Sequence, residues 1–125
     1  MGGRRNSCVF VVDDDPRMLK SIGMLLGKLG FSTELYPSAE IFLSESAFSN
    51  SSDSCLILDI HLSGMSGIEL GDRLTKAGHT PPIIFITGND NEGARKAALQ
   101  QGCVAYLTKP FTAKVLVDAI DQALA

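Results

Sequence analysis

The chain has 125 residues, which is close to the commonest domain size, with 45% hydrophobic and 20% charged residues. Eleven Lys and Arg against fourteen Asp and Glu give a formal charge of −3, without the basic excess that phosphate backbones attract. The apolar runs are much shorter than a membrane span, and no signal-peptide stretch follows the N-terminal arginines. We therefore expect one cytoplasmic domain that binds no membrane and, by itself, no nucleic acid.

The cysteines give no sign of a metal site or a disulfide framework. Cys8, Cys55 and Cys103 are widely spaced and odd in number, and the chain has no Cys-x-x-Cys motif. Each lies at the edge of an apolar run, so we expect small buried thiols that pack as hydrophobic groups.

Short apolar stretches predict five strands, at residues 8–12, 32–36, 55–58, 83–86 and 104–107. Segments with helical spacing alternate with them, at 16–29, from 38 onwards, at 66–76, at 91–101 and from 113 onwards.

Local signals mark the ends of these helices. Pro16 suits the first turn of the first helix, Gly30 is a signal for its end, and Ser38 is a candidate N-cap of the second helix. Residues 50–54 read as a polar loop.

The resulting pattern is a (βα) unit repeated five times. Strands that are apolar without alternation are buried on both faces, which predicts an α/β fold with a doubly wound parallel sheet between two helix layers. We assign residues 7–125 to this domain and residues 1–6 to a disordered N-terminal extension or cloning remnant.

Polar residues stand where the strands end. The first strand ends in Asp13, Asp14 and Asp15, and the third ends in Asp59. In doubly wound sheets the functional crevice lies at the carboxyl ends of the strands, so these acids should meet. Clustered carboxylates repel each other, and a hard cation such as Mg²⁺ relieves this repulsion.

Two further groups complete the predicted site. Thr87 ends the fourth strand and can donate a hydrogen bond, and Lys109 ends the fifth and can hold an anionic oxygen. Together with the acids, they predict a site for a metal and a phosphoryl group, with a carboxylate as the nucleophile.

Each residue also has a plain structural interpretation. Asp14 or Asp15 can cap the first helix, and Asp59 can simply terminate a strand. Thr87 alone reads as part of a turn, and Lys109 alone as a solvated lysine before a proline. Only their joint placement at strand ends favours the functional interpretation.

Four stretches give the chain a family resemblance: Val-Val-Asp-Asp-Asp at 11–15, Asp-Ile-His-Leu-Ser-Gly-Met-Ser-Gly at 59–67, Phe-Ile-Thr-Gly at 85–88 and Tyr-Leu-Thr-Lys-Pro-Phe at 106–111. They resemble the receiver domains of bacterial two-component response regulators, and most of all the nitrogen-fixation and nodulation subgroup. The resemblance covers residues 7–125 and implies a flavodoxin-like sheet with strand order 2-1-3-4-5.

The resemblance also implies a phosphorylation switch. Asp59 is similar to the family's phospho-acceptor, and Lys109 to the lysine that pairs with the phosphoryl oxygens. Asp13 and Asp14 are similar to the residues that bind Mg²⁺ together with the acceptor, and the backbone carbonyl of His61 would be a further ligand.

The implied switch connects the site to a surface. Thr87 is similar to the hydroxyl that follows the phosphoryl group, and Tyr106 to the aromatic residue that then turns inward. The face made by the fourth helix, fifth strand and fifth helix would change, controlling a homodimer or an output domain. The implied donor is a sensor histidine kinase, which we expect to dock beside Met18, Ser21 and Leu25 on the first helix.

Two departures and three alternatives belong to this comparison. Ser63 stands where the family commonly has proline, and this difference would loosen the loop after Asp59. The His61 side chain is also unusual.

The alternatives are a degenerate receiver that serves only as an interaction module, a flavodoxin-like cofactor domain, and a haloacid-dehalogenase-like phosphatase using Asp13 and Asp15. On the receiver interpretation the chain is a signalling domain that catalyses only its own phosphorylation and dephosphorylation.

Overall fold

The computed structural model describes residues 7–46, 48 and 53–125. The expected N-terminal extension at 1–6 and residues 50–52 of the predicted polar loop lie outside this described part.

The described chain alternates between strands and helices, as the apolar pattern predicts. The strands are β1 (Cys8–Val12), β2 (Ser32–Tyr36), β3 (Ser54–Asp59), β4 (Ile83–Thr87) and β5 (Ala105–Thr108). The helices are α1 (Pro16–Lys28), α2 (Ala39–Glu45), α3 (Gly67–Lys76), α4 (Glu92–Gln100) and α5 (Ala113–Ala123).

The five strands form one parallel sheet in the order β2-β1-β3-β4-β5, which confirms the predicted fold class. Helices α1 and α5 pack on one face through Ile22, Leu26, Leu116 and Ile120. Helices α2, α3 and α4 cover the other face. All residues of β3 and β4 are buried, as expected for strands covered on both sides.

Every helix starts with a side chain that caps it. Ser38 accepts a hydrogen bond from the Ile41 amide and caps α2, as predicted, while Asp15 rather than Asp14 caps α1. Ser66 and Glu69 form a reciprocal capping box at the start of α3. These caps fix the helix starts just beyond the carboxyl ends of the strands.

Two strands are longer at their functional ends than the apolar runs indicated. β3 includes Asp59 and β4 includes Thr87, so both polar residues belong to the sheet ladder. None of the helices in the described part combines the length and the apolarity that crossing a bilayer requires.

Candidate functional site

Three carboxylates meet at the carboxyl edge of the sheet. One oxygen from each of Asp13, Asp14 and Asp59 lies within 4.8 Å of the others. Asp13 and Asp59 are buried at 0% and 4% exposure, whereas Asp14 is exposed. The carboxylate oxygens of these three residues are hard donors of the kind that Mg²⁺ prefers. The donor set therefore fits the metal that the sequence predicts.

Lys109 bridges the two buried carboxylates from the end of β5. Its Nζ lies 2.9 Å from Asp13 Oδ2 and 3.2 Å from Asp59 Oδ2. Burial alone would lower the pKa of Lys109, but its hydrogen bonds and charge pairing with the two aspartates outweigh this and raise it. The ammonium thus stays charged at the position where an anionic oxygen would arrive.

The environment of Asp59 opposes its ionisation. Burial and the neighbouring charge of Asp13 raise the pKa of Asp59 to about 6, against the lowering effect of Lys109 and of the His61 amide. The carboxylate form still dominates at neutral pH. Asp59 is thus a poorly solvated anion, which favours nucleophilic attack.

The first of the three consecutive acids holds the third in place. Asp13 Oδ1 accepts a hydrogen bond from the Asp15 amide at 2.9 Å, and Asp15 Oδ1 accepts one from the Arg17 amide at 3.0 Å. The Asp15 side chain is thus engaged as the N-cap of α1. The carboxylate cluster consists of Asp13, Asp14 and Asp59, so the pair that the phosphatase interpretation needs does not form here.

Thr87 lies at the end of β4, beside Lys109. Its side chain is fully buried, and its Oγ1 accepts a hydrogen bond from the Asn89 amide at 3.0 Å. The Lys109 amide donates to the Thr87 carbonyl at 2.7 Å, which joins the ends of β4 and β5. The adjoining Lys109–Pro110 peptide bond is cis.

The loop after Asp59 is held by hydrogen bonds that the sequence did not indicate. Ser63 donates to Asp14 Oδ2 through both its amide, at 3.1 Å, and its hydroxyl, at 3.2 Å. The expectation that Ser63 loosens this loop is therefore wrong, because a proline could supply neither donor. Glu40 on α2 adds a second tether by accepting from the Met65 amide at 2.9 Å.

The His61 side chain is exposed but does not point freely into solvent. Its Nε2 lies 3.1 Å from the Asn89 carbonyl oxygen, so this nitrogen carries the proton and donates it. Its backbone amide donates to Asp59 Oδ1 at 3.1 Å. His61 thereby links the β3–α3 loop to the β4–α4 loop across the site.

Gly67 makes a close backbone approach directly beneath the site. A Cβ atom at this position would collide with the carbonyl oxygen of Asp59. Helix α3 can therefore start tightly against the end of β3 only because residue 67 has no side chain.

The family is decided by comparison with known proteins. The family model for the response regulator receiver domain matches residues 9–121. The chain belongs to the receiver domain family. Response regulator protein TodT of Pseudomonas putida is 36% identical over 120 residues, covering 96% of this chain and 52% of TodT. FixJ of Bradyrhizobium diazoefficiens is 35% identical over 117 residues, covering 93% of this chain and 56% of FixJ.

Solved structures agree with this assignment. The crystal structure of FixJ-N matches this receiver domain with a TM-score of 0.85 and 31% identity, over 95% of this chain and 94% of that one. The predicted resemblance to nitrogen-fixation and nodulation regulators is confirmed as one of several close matches, since TodT matches equally well. The chain spans about half the length of the curated relatives it matches. Its relatives are response regulators, so it is a signalling domain with a role in two-component signalling.

The receiver domain presents Tyr106 at the surface between β5 and α4. The Tyr106 hydroxyl donates to Asp90 Oδ1 at 2.8 Å, and the Arg95 guanidinium lies over its ring at 4.8 Å from the centroid. Arg95 also pairs with Asp90 Oδ2 at 2.7 Å. Neither Asp90 nor Arg95 was singled out from the sequence, because both contact Tyr106, which lies on a different element, β5.

Proposed function

We propose that this receiver domain is a phosphorylation switch that accepts a phosphoryl group on Asp59 from a sensor histidine kinase. The observation that carries the proposal is the position of Asp59. It is buried at a sheet edge, with Lys109 on one of its oxygens and two further carboxylates within 4.8 Å.

The metal-binding residues would be Asp13, Asp14 and Asp59, with the backbone carbonyl of His61 as a further ligand. Their oxygens suit Mg²⁺. Asp13 and Asp59 are buried, so the repulsion between these two carboxylates is poorly screened by solvent. Bound Mg²⁺ would offset the negative charge of the carboxylates and of an incoming phosphoryl group.

The phosphoryl group would pass from a histidine of the kinase to Asp59. A carboxylate oxygen of Asp59 attacks the phosphorus of the phosphohistidine, forming a P–O bond as the P–N bond breaks, and the departing imidazole takes up a proton from solvent. Lys109, already 3.2 Å from Asp59, stabilises the charge on the transferred oxygens. Attack of water on phosphorus later breaks the P–O bond and restores the carboxylate.

The signal would leave through Thr87 and Tyr106. Thr87 is fully buried beside the acceptor strand and can turn its hydroxyl towards a phosphoryl oxygen. Tyr106 pairs in register with Phe85, and Phe85 lies two residues before Thr87 on the same strand. The side chains of Tyr106 and Thr87 therefore lie on the same face of the sheet. Movement of Thr87 would open space for the ring and change the α4-β5-α5 face, which controls a homodimer or an output domain.

The kinase would dock beside α1. Met18, Ser21 and Leu25 line one groove together with Pro110 and Phe111, which follow the site residue Lys109. Met18 and Leu25 are partly buried against the α1–α5 core, so the groove is apolar and close to the acceptor.

Phosphorylation mapping tests the proposal. Treatment with acetyl phosphate and Mg²⁺, followed by mass analysis of peptides, should place one phosphoryl group on Asp59 and none on Asp59→Asn. Modification of Asp13 or Asp15 would refute the assignment, and no modification would favour the interaction-module alternative. Calorimetry should show weaker Mg²⁺ binding in Asp14→Ala than in the parent, and equal affinities would refute the metal site.

A further inference from the structure

The hydrogen bonds around Tyr106 connect it to the phosphorylation site by a continuous route. Thr87 Oγ1 accepts from the Asn89 amide, and the next residue, Asp90, accepts from the Tyr106 hydroxyl. The Asn89 carbonyl meanwhile accepts from the His61 ring. The short loop between β4 and α4 is therefore held at one end by site residues and at the other by Tyr106.

Each carboxylate oxygen of Asp90 makes one short contact. Its Oδ1 lies 2.8 Å from the Tyr106 hydroxyl and its Oδ2 lies 2.7 Å from Arg95 Nη2. Both are charge-assisted hydrogen bonds, which are stronger than neutral ones. Arg95 also stacks on the Tyr106 ring at 4.8 Å, so the three side chains form a closed triangle.

We propose that Asp90 and Arg95 are positioning residues that hold Tyr106 at the surface and so stabilise the unphosphorylated state. The inference rests on the proposed function, because it assigns a role to Tyr106 in the switch. An inward turn of Tyr106 takes its hydroxyl away from Asp90 and its ring away from Arg95. The triangle, defined by Asp90, Arg95 and Tyr106, therefore opposes activation directly.

The same contacts explain how phosphorylation would release Tyr106. Rotation of the Thr87 hydroxyl towards a phosphoryl oxygen disturbs its bond to the Asn89 amide. Asn89 and Asp90 are consecutive in a loop, so displacement of one moves the other away from the Tyr106 hydroxyl. Coupling then passes through backbone and side-chain hydrogen bonds as well as through the space beside Thr87.

The test measures how readily each variant is converted by beryllofluoride, a mimic of the aspartyl phosphate. The chain has two tyrosines and no tryptophan, so ring-13C-labelled tyrosine gives one reporter at Tyr106 and an internal reference at Tyr36. Tyr36 is buried at 9% exposure and bonded to Glu34 on the opposite edge strand. Beryllofluoride is titrated in the presence of Mg²⁺ at two protein concentrations. A conformational switch within one chain gives the same half-conversion point at both, whereas association depends on protein concentration.

Asp90→Ala and Arg95→Ala should each lower the beryllofluoride concentration at half-conversion, by about three- to tenfold for Asp90→Ala. The double variant Asp90→Ala/Arg95→Ala should shift the half-conversion concentration by less than the two single shifts combined, because both changes break up the same triangle. Asp90→Asn keeps an acceptor oxygen and should lie between the parent and Asp90→Ala.

Lys96→Ala is the matched control, since Lys96 is exposed on the same helix and its side chain makes no hydrogen bond or ion pair to Asp90, Arg95 or Tyr106. If Asp90→Ala and Arg95→Ala convert at the same concentration as Lys96→Ala while the parent responds, the positioning role is refuted and the proposed function stands. Conversion at higher concentrations than the parent would also refute it. A parent that shows no response refutes the proposed function and the positioning role with it.

Discussion

Replacing Asp59 by Asn should stabilise the folded domain at alkaline pH when Mg²⁺ is absent. In the parent, burial and the charge of Asp13 raise the pKa of Asp59 to about 6, although Lys109 opposes this. Asparagine has the same size, carries no charge and keeps an oxygen that can accept from Lys109 or from the His61 amide. The substitution therefore removes repulsion without creating a cavity.

The size of the effect follows from the pKa difference. A carboxyl with a folded-state pKa of about 6 and an ordinary value of 3.8 favours folding when protonated. Its contribution is fully present below pH 3.8 and is lost as pH rises through 6. Each pH unit corresponds to about 1.4 kcal/mol, which sets an upper limit of about 3 kcal/mol. Because Lys109 loses one ionic partner in Asp59→Asn, we expect a gain of about 1–2 kcal/mol at pH 8.

Urea unfolding followed by circular dichroism, in EDTA at pH 4 and pH 8, measures this gain. The difference in free energy of unfolding between Asp59→Asn and the parent should be small at pH 4 and reach its full value above pH 7. Asp118→Asn makes the same chemical change in an exposed pair with Lys114 and should leave stability nearly unchanged at both pH values, because solvent screens that pair. An Asp59→Asn variant that is less stable than the parent at pH 8, or equally favoured at both pH values, would refute the reasoning.

Three further predictions concern packing, docking and charge. Gly67→Ala places a Cβ against the Asp59 carbonyl and should cost about 1–3 kcal/mol in urea unfolding, whereas Gly27→Ala, with open space around it, should not destabilise. Met18→Glu should slow phosphoryl transfer from a kinase but not from acetyl phosphate. The control Met24→Glu, at an exposed residue of the same helix, should slow neither reaction. If Met18→Glu slows both reactions equally, Met18 has a structural role and is not a docking residue. Gel retardation should detect no binding of duplex DNA by this acidic chain, and salt-sensitive binding below micromolar concentration would contradict the charge argument.

The position of the site was predictable because topology alone determines it. Apolar runs that end in Asp13, Asp59, Thr87 and Lys109 place these residues on one edge once the sheet is parallel. The apolar runs alone stop at residues 58 and 86, but β3 ends at Asp59 and β4 at Thr87, as predicted. Buried polar residues at a functional edge depart from the apolar pattern that normally marks a strand.

The partners of individual side chains were not predictable. The residues alone left either Asp14 or Asp15 as the cap of α1, and the structure places Asp14 in the carboxylate cluster and Asp15 at the cap. Ser63 reaches Asp14 across 49 residues, and Tyr106 reaches Asp90 across 16, so spacing along the chain carries no signal for either bond. Such contacts depend on loop geometry that only the folded sheet determines.

The order of the strands gives the two halves of the site different mechanical properties. Asp59 ends a six-residue strand that pairs with β1 on one side and β4 on the other, so displacing this strand would break two ladders at once. Tyr106 lies on a four-residue strand at the sheet margin, bonded to β4 alone and partly exposed. Asp59 therefore lies on a central strand that resists displacement, while Tyr106 lies on an edge strand that is easier to displace. On the proposed function, phosphorylation of Asp59 at the centre of the sheet would then be expressed as movement of Tyr106 at its edge, with little disturbance of the core.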